Sequence, residues 1–149
     1  MSNQMPVKLP FETTLMVRDT CLCLHVQRAA RALARLFDDA LRPFGLTNGQ
    51  YSLLMALNRP EPPSIGQLAP FLAMDRTTLT AYLKPLERRG LIEVSIDAKD
   101  RRSRRLRLTP AGHKLLLAAV PIWKSTHDAL ERGMTGDPNR LRADLMALA

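Results

Sequence analysis

Residues 75–109 read DRTTLTAYLKPLERRGLIEVSIDAKDRRSRRLRLT, and within them the apolar spacing changes from the three-and-four of a helix to the alternation of a strand. Asp75 has N-cap chemistry, Leu79, Leu83 and Leu86 form one stripe, and Gly90 is a stop, which predicts a helix running towards Arg89. The opposite face of that helix carries Thr77, Ala81, Lys84 and Arg88, flanked by Arg76 and Thr80. Pro85 removes one backbone hydrogen bond and crowds the carbonyl of Ala81, so a kink is expected in the later half. Beyond Gly90, Ile92, Val94 and Ile96 alternate with Glu93 and Ser95. After Asp97-Ala98-Lys99-Asp100 the alternation resumes, with Leu106 and Leu108 facing in and Arg105 and Arg107 facing out. That pattern is a hairpin with a basic tip.

The charge is concentrated in the same stretch. Residues 73–107 hold ten Lys/Arg (Arg76, Lys84, Arg88, Arg89, Lys99, Arg101, Arg102, Arg104, Arg105, Arg107) against five acids, so five of the eight excess positive charges lie there. A basic patch confined to one supersecondary unit is an electrostatic footprint for a polyanion, whereas a merely solvated hairpin needs no such excess. Just upstream, Ser64-Ile65-Gly66-Gln67 is a capping box that opens a short helix with Ile65, Leu68 and Phe71/Leu72 on one face. A brief turn at Ala73 and Met74 joins it to the helix at Asp75. Two short helices and a tight turn make a helix-turn-helix, and the basic hairpin adds a wing.

Working outward, Leu22, Val26, Ala29, Leu33, Leu36/Phe37, Ala40 and Phe44 recur at helical spacing, which predicts one long amphipathic helix over 19–44 that Gly45 stops. Thr47-Asn48-Gly49-Gln50 is another capping box, for a helix reaching about Leu57, and Pro60, Pro62 and Pro63 force an extended loop. Thr109-Pro110 starts a further long helix to about Arg132, with a bend expected at Pro121. Asp137-Pro138 starts a last one. The expected fold is therefore mainly α with a small β-hairpin wing, a single domain over 1–149. Its winged helix-turn-helix spans 46–109, and dimerisation helices occupy 1–45 and 110–149. The apolar residues of those flanking helices are too numerous for the small central core to cover, which is the sequence's own argument for a dimer.

Composition narrows the alternatives. A chain of 149 residues can bury a proper core. The first ten residues lack a charged and then apolar leader, and residues 115–123 are too short an apolar run to span a bilayer, so no membrane partner and a cytoplasmic location are expected. Cys21 and Cys23, two apart on a helix, point about 200° from one another, which disfavours a disulfide, and no His/Cys cluster has metal spacing. No metal, cofactor or catalytic residue is expected. No base, nucleophile elbow or phosphate loop accompanies Cys23, which argues against a thiol-dependent enzyme.

The order of elements and several strings resemble the MarR (multiple antibiotic resistance regulator) family of bacterial transcription factors. The strings are Leu46-Thr47 with Gln50, Asp75-Arg76-Thr77-Thr78-Leu79-Thr80, Leu83-Lys84-Pro85-Leu86-Glu87-Arg88-Arg89-Gly90-Leu91-Ile92, and Asp100-Arg101-Arg102-Ser103 followed by Leu106, Leu108-Thr109 and Gly112. The resemblance implies a homodimer that grips double-stranded DNA at a palindromic operator and is released by a small-molecule effector or an oxidant. Thr77, Thr80 and Lys84 would then face the major groove, where Thr can donate, accept or touch a thymine methyl and Lys can reach guanine or phosphate, and Arg76 and Thr78 are counted with them as DNA-binding residues. Arg102 matches the wing arginine that enters the minor groove, and Asp100 the acid that holds it. Arg101, Arg104 and Arg105 are read as phosphate contacts or solvated charge. Many members carry an arginine where this chain has Ala81, so a base contact is missing here.

For the effector, the resemblance leaves two classes. A small aromatic or phenolic acid would lie between the dimer helices and the winged unit, with His25, Arg28 and Arg31 as partners for its carboxylate. Alternatively Cys23 stands near the cysteine of organic hydroperoxide sensors, but the approximate positions of the assisting tyrosines hold Phe37 and Gln27. Neither can activate a thiolate as a phenol would, so Cys23 is read first as a small buried apolar residue. An architectural DNA-binding protein without regulation is the remaining reading, and it leaves the flanking helices without a sensory role.

Overall fold

The structure, a computed structural model, describes residues 6–149, so the first five residues of the expected 1–45 segment lie outside it. The chain divides into two compact units, Met1–Leu36 and Phe37–Ala149.

The helix expected over 19–44 begins at Leu22, and a separate helix that the sequence pattern does not mark precedes it. Helix α1 (Phe11–Thr20) ends where Cys21 adopts an extended backbone (φ −69°, ψ 108°), and α2 (Leu22–Leu41) begins after it. No glycine or proline marks this break. It is held locally, because the Cys21 N–H donates to Val17 and the amide of Leu24 donates to the Cys21 sulfur at 3.5 Å, a weak N-cap for α2. α1 buries no residue, and Phe11, Met16, Val17, Leu22, Val26, Leu33 and Leu36 are all exposed. The stripe predicted on α2 therefore exists, but among the described residues its first part, Leu22 to Leu36, is left open, while Phe37 and Phe44 pack against the core.

The second unit contains the core. The end of α2 passes through a 3-10 turn, Arg42–Phe44, to Gly45, whose positive φ of 65° reverses the chain. Helix α3 (Asn48–Ala56) opens on the predicted capping box, with Thr47 and Gln50 exchanging bonds. Asp38 adds a tertiary cap, accepting the backbone and side-chain N–H of Asn48 at 2.7 and 2.8 Å, and these bonds hold its carboxyl below the usual carboxylate range. Helix α4 (Ile65–Phe71) opens on the Ser64/Gln67 box. The face assigned to α4 needs one correction, since Leu68 is fully buried but Phe71 is 67% exposed and lies under the Arg59 guanidinium at 5.2 Å. Helix α5 (Arg76–Arg88) turns Leu79, Leu83 and Leu86 inward as its spacing requires and continues through Pro85.

Strands β1 (Ile92–Ile96) and β2 (Arg104–Leu108) pair antiparallel, Ile92 opposite Leu108 and Ile96 opposite Arg104. Ile92, Leu106 and Leu108 are buried, but Ile96 is 61% exposed because the hairpin has outrun the core there. The proline loop supplies an unforeseen third line. Pro63 accepts the N–H of Leu106 at 2.9 Å, and Ser64 bridges Arg105, so β2 is flanked on both edges.

Helix α6 (Pro110–Arg132) starts at Thr109, whose hydroxyl accepts from Gly112. Helix α7 (Pro138–Leu148) starts at Asp137. Gly112 has no freedom to be anything larger, because a Cβ there would lie 2.2 Å from the carbonyl oxygen of Leu91 and 3.2 Å from Leu108. Gly112→Ala is expected to cost about 1–3 kcal/mol, seen in calorimetry as a fall in Tm of roughly 4–10 °C. An unchanged Tm would mean that the junction between hairpin and α6 is not fixed.

Candidate nucleic-acid interface

The sequence places polar and basic side chains on the outer face of α5, and the structure gathers them into one hollow. Arg76, Thr77, Thr80, Ala81 and Lys84 line a shallow crevice of about 370 Å³ on that face, all of them exposed. The crevice exists because Ala81 is small. A larger residue at that central position would fill it, so this face offers room for a base edge or thymine methyl instead of a long cation.

The start of α5 is fixed by Asp75, whose carboxylate accepts the Thr78 amide at 2.7 Å and the Thr78 hydroxyl at 2.9 Å. These bonds keep the Asp75 carboxyl ionised and below its ordinary range. Thr78, expected among the groove residues, has its hydroxyl proton committed to the cap. Thr80 donates back to the carbonyl of Arg76 at 2.8 Å, which leaves its oxygen as an acceptor and its methyl outward. The far end is anchored as well, since the Arg89 guanidinium donates to Gly45 at 2.6 Å and to Phe44 at 3.3 Å. That tie could not be read from the sequence, because its partners are backbone carbonyls 44 and 45 residues away.

In the wing, Asp100 holds the tip as expected: its side chain accepts the N–H of Arg102 at 3.0 Å and its carbonyl accepts the N–H of Ser103 at 2.9 Å. The backbone of Arg102 is thereby fixed, while among the described residues no side-chain hydrogen bond or ion pair takes up the guanidiniums of Arg101 and Arg102. Arg104 is less free, with one nitrogen donating to the carbonyl of Arg101 at 3.2 Å and to that of Ser103 at 3.5 Å.

Arg105 overturns the outward-facing reading. Its guanidinium folds back onto Asp97, the one buried charged residue among those described, at 2.9 Å. It also donates to the carbonyl of Pro62 at 3.0 Å. Strand alternation assigned it to solvent, and a partner outside the hairpin captured it instead. Bonds from the Lys99 amide and from Arg105 hold the Asp97 carboxyl below its usual range.

On α2, His25, Arg28 and Arg31 are exposed and share a crevice of about 560 Å³ with Ala29, Ala32 and Arg35. The Nδ1 of His25 lies 2.7 Å from the Cys21 carbonyl, and a carbonyl can only accept, so Nδ1 carries the proton. With Nδ1 engaged in the helix, Arg28 and Arg31 are the permanently charged donors a carboxylate would need. Cys23 is exposed, contrary to the buried apolar reading, and its sulfur accepts a hydrogen bond from Gln27 at 3.3 Å. Both cysteines are free thiols.

Among the described residues no group of three or more His, Cys, Asp or Glu could hold a metal ion, and no helix is long and apolar enough to cross a membrane. A short helix, a turn, a helix with an open polar face and an arginine-tipped hairpin define a winged helix-turn-helix. The MarR family model matches residues 46–103. Transcriptional regulator HosA of Escherichia coli O157:H7 is 34% identical over 103 residues, 68% of this chain and 75% of that protein. The crystal structure of the M. tuberculosis transcriptional regulator MosR in complex with DNA superposes with a TM-score of 0.79 at 38% identity, covering 86% of this chain and 92% of that one. BpsR of Bordetella bronchiseptica, whose DNA binding is regulated by 6-hydroxynicotinic acid, superposes with a TM-score of 0.73 at 26% identity over 87% and 91% of the two chains. The chain belongs to the MarR family of winged helix-turn-helix transcriptional regulators. It spans 54% and 65% of the length of two other curated regulators that it matches.

Proposed function

We propose that the protein is a cytoplasmic transcriptional repressor, and not an enzyme, that binds a palindromic operator in double-stranded DNA as a homodimer and is released by a small aromatic or phenolic acid. The observation that carries this reading is the open crevice on α5, lined by Arg76, Thr77, Thr80, Ala81 and Lys84, together with an Asp100-braced wing whose Arg101 and Arg102 side chains are uncommitted. Likeness to MosR, solved on DNA, supports the same use of the same elements. The dimer is supported by the uncovered apolar residues of α1, α2, α6 and α7. Nuclease footprinting tests it: a short inverted repeat with half-sites about one helical turn apart is expected. Broad protection of any sequence would make the protein architectural instead.

The effector class is supported by the paired cations Arg28 and Arg31 beside the α2 crevice and by likeness to BpsR, which responds to an aromatic acid. An acid bound at a hundred times its Kd should stabilise the protein by about 2.7 kcal/mol, a rise in Tm of roughly 5–10 °C. Cys23→Ser is expected to leave release by such an acid intact, because Gln27, an amide donor, cannot act as the general base or phenol that activates a thiol. Wild-type release by organic hydroperoxide that disappears in Cys23→Ser would establish the redox reading instead.

A further inference from the structure

The base of the wing tip holds an ion pair that the DNA-facing surface does not use. Arg105 spends three nitrogens in two directions, two on Asp97 and one on the proline loop and α4. Its Nε donates to Asp97 at 3.0 Å, its Nη2 pairs with the same carboxylate oxygen at 2.9 Å, and its Nη1 donates to the Pro62 carbonyl at 3.0 Å with Gln67 Oε1 at 3.5 Å. The other Asp97 oxygen accepts the Lys99 amide at 3.0 Å, and the Asp97 N–H donates to Ser103 at 3.1 Å, closing the turn. Gln67 is itself the return half of the α4 capping box, accepting the N–H of Ser64 at 3.0 Å. One guanidinium therefore joins the wing, the proline loop and the first helix of the helix-turn-helix.

We propose that Asp97 and Arg105 are positioning residues for DNA reading, bracing the wing against Pro62 and Gln67 so that Arg102 is held at the height of the groove; this rests on the operator-binding reading above. A two-stranded hairpin is marginally stable alone and has no direction of its own. Apolar packing fixes its root through Ile92, Leu106 and Leu108, but the core ends before Ile96, which is 61% exposed. Beyond that point the brace replaces the core. Only residues 98–103 project past it, so it sets where the turn carrying Arg102 leaves the sheet. Burying a charged pair is a costly way to gain stability, since the desolvation penalty offsets most of the attraction. A planar fork with fixed donor directions supplies orientation instead. Arg105 also lies 33% exposed by side chain, and with three nitrogens engaged inward it is poorly placed to serve as the phosphate contact its charge suggested.

Arg105→Lys separates the two roles because it keeps the charge and loses the fork. Affinities of the full-length protein for its footprinted inverted repeat and for a random duplex of equal length would be measured at one salt concentration. Circular dichroism and Tm would confirm folding. For Arg105→Lys, operator affinity is expected to fall about tenfold while random-duplex affinity stays within about twofold; Arg102→Ala, costing tenfold or more in wild type, should cost less than about threefold in the Arg105→Lys background. Wild-type operator affinity in Arg105→Lys would reduce Arg105 to a charge and overturn the brace. Additive losses in the double variant would overturn it too, leaving the operator reading intact. No effect of Arg102→Ala in wild type would sink the wing's role in reading, and the brace with it. Should the Arg105 variants fail to fold, near-isosteric Asp97→Asn keeps the Pro62 bond. It should show the same selective loss, and unchanged operator affinity in that variant would refute the proposal.

Discussion

Deletion of residues 137–149 is expected to give a monomer whose operator affinity is lower by about 10²–10⁴-fold, because a second half-site is then reached from bulk solution and no longer at high effective concentration. The deletion removes α7, which buries no residue of its own and leaves Leu141, Leu145, Met146 and Leu148 between 42% and 76% exposed. α6 adds Leu117, Val120 and Ile122. Exposed apolar side chains grouped in this way on two helices mark an interaction surface. Arg142 of α7 pairs with Glu131 of α6 and holds the Glu131 carboxyl below its usual range; because α7 buries no residue, its loss should leave the winged core folded. Two recognition helices must stand about 34 Å apart to enter successive major grooves, and only a dimer can hold that spacing. Sedimentation equilibrium and operator titration check this together. Replacing Leu141 and Leu145 by Asp should reproduce the result with the helix still present. A dimeric, fully binding deletion variant would remove α7 from the assembly.

The parts of this fold that were legible in the sequence are those whose cause is local. Thr47 with Gln50, Ser64 with Gln67, Asp75, Thr109 and Asp137 all cap the helices they precede, because a cap needs only its own next three residues. The stripe of Leu79, Leu83 and Leu86 was equally plain, since a 3.6-residue period has one solution. Part of what stayed hidden depends on partners far along the chain. Arg105 was assigned to solvent by strand alternation, and the Pro62 carbonyl that turns it inward lies 43 residues away. Helix α1 stayed hidden for another reason: it buries no residue, so no apolar stripe marks it, and the break at Cys21 carries no glycine or proline. For the candidate interface the residue types and their shared face could be read, but not that Ala81 opens a crevice among them or that Thr78 is spent on the cap.

Arg102→Ala should weaken operator binding by about 1–3 kcal/mol per half-site while changing stability by no more than about 0.5 kcal/mol, because the side chain is exposed and makes no side-chain hydrogen bond or ion pair among the described residues. Its backbone is pinned by Asp100, so on the proposed operator reading the guanidinium would start from a fixed point to enter the narrow groove where A·T-rich sequence concentrates negative potential. The loss should therefore depend on sequence, falling on the half-site edges and sparing random DNA. Arg104→Ala is the contrasting case. Its guanidinium is tied through one nitrogen to the carbonyls of Arg101 and Ser103, which leaves its other donors for the phosphate contact expected of it. Its removal should weaken operator and random duplex together and lower the salt slope by about 1 per subunit. Titrations of both variants against both duplexes over a salt series distinguish these outcomes. Equal losses on operator and random DNA for Arg102→Ala would mean that the wing contributes charge alone, and that all sequence reading falls to the crevice between Arg76 and Lys84 on α5.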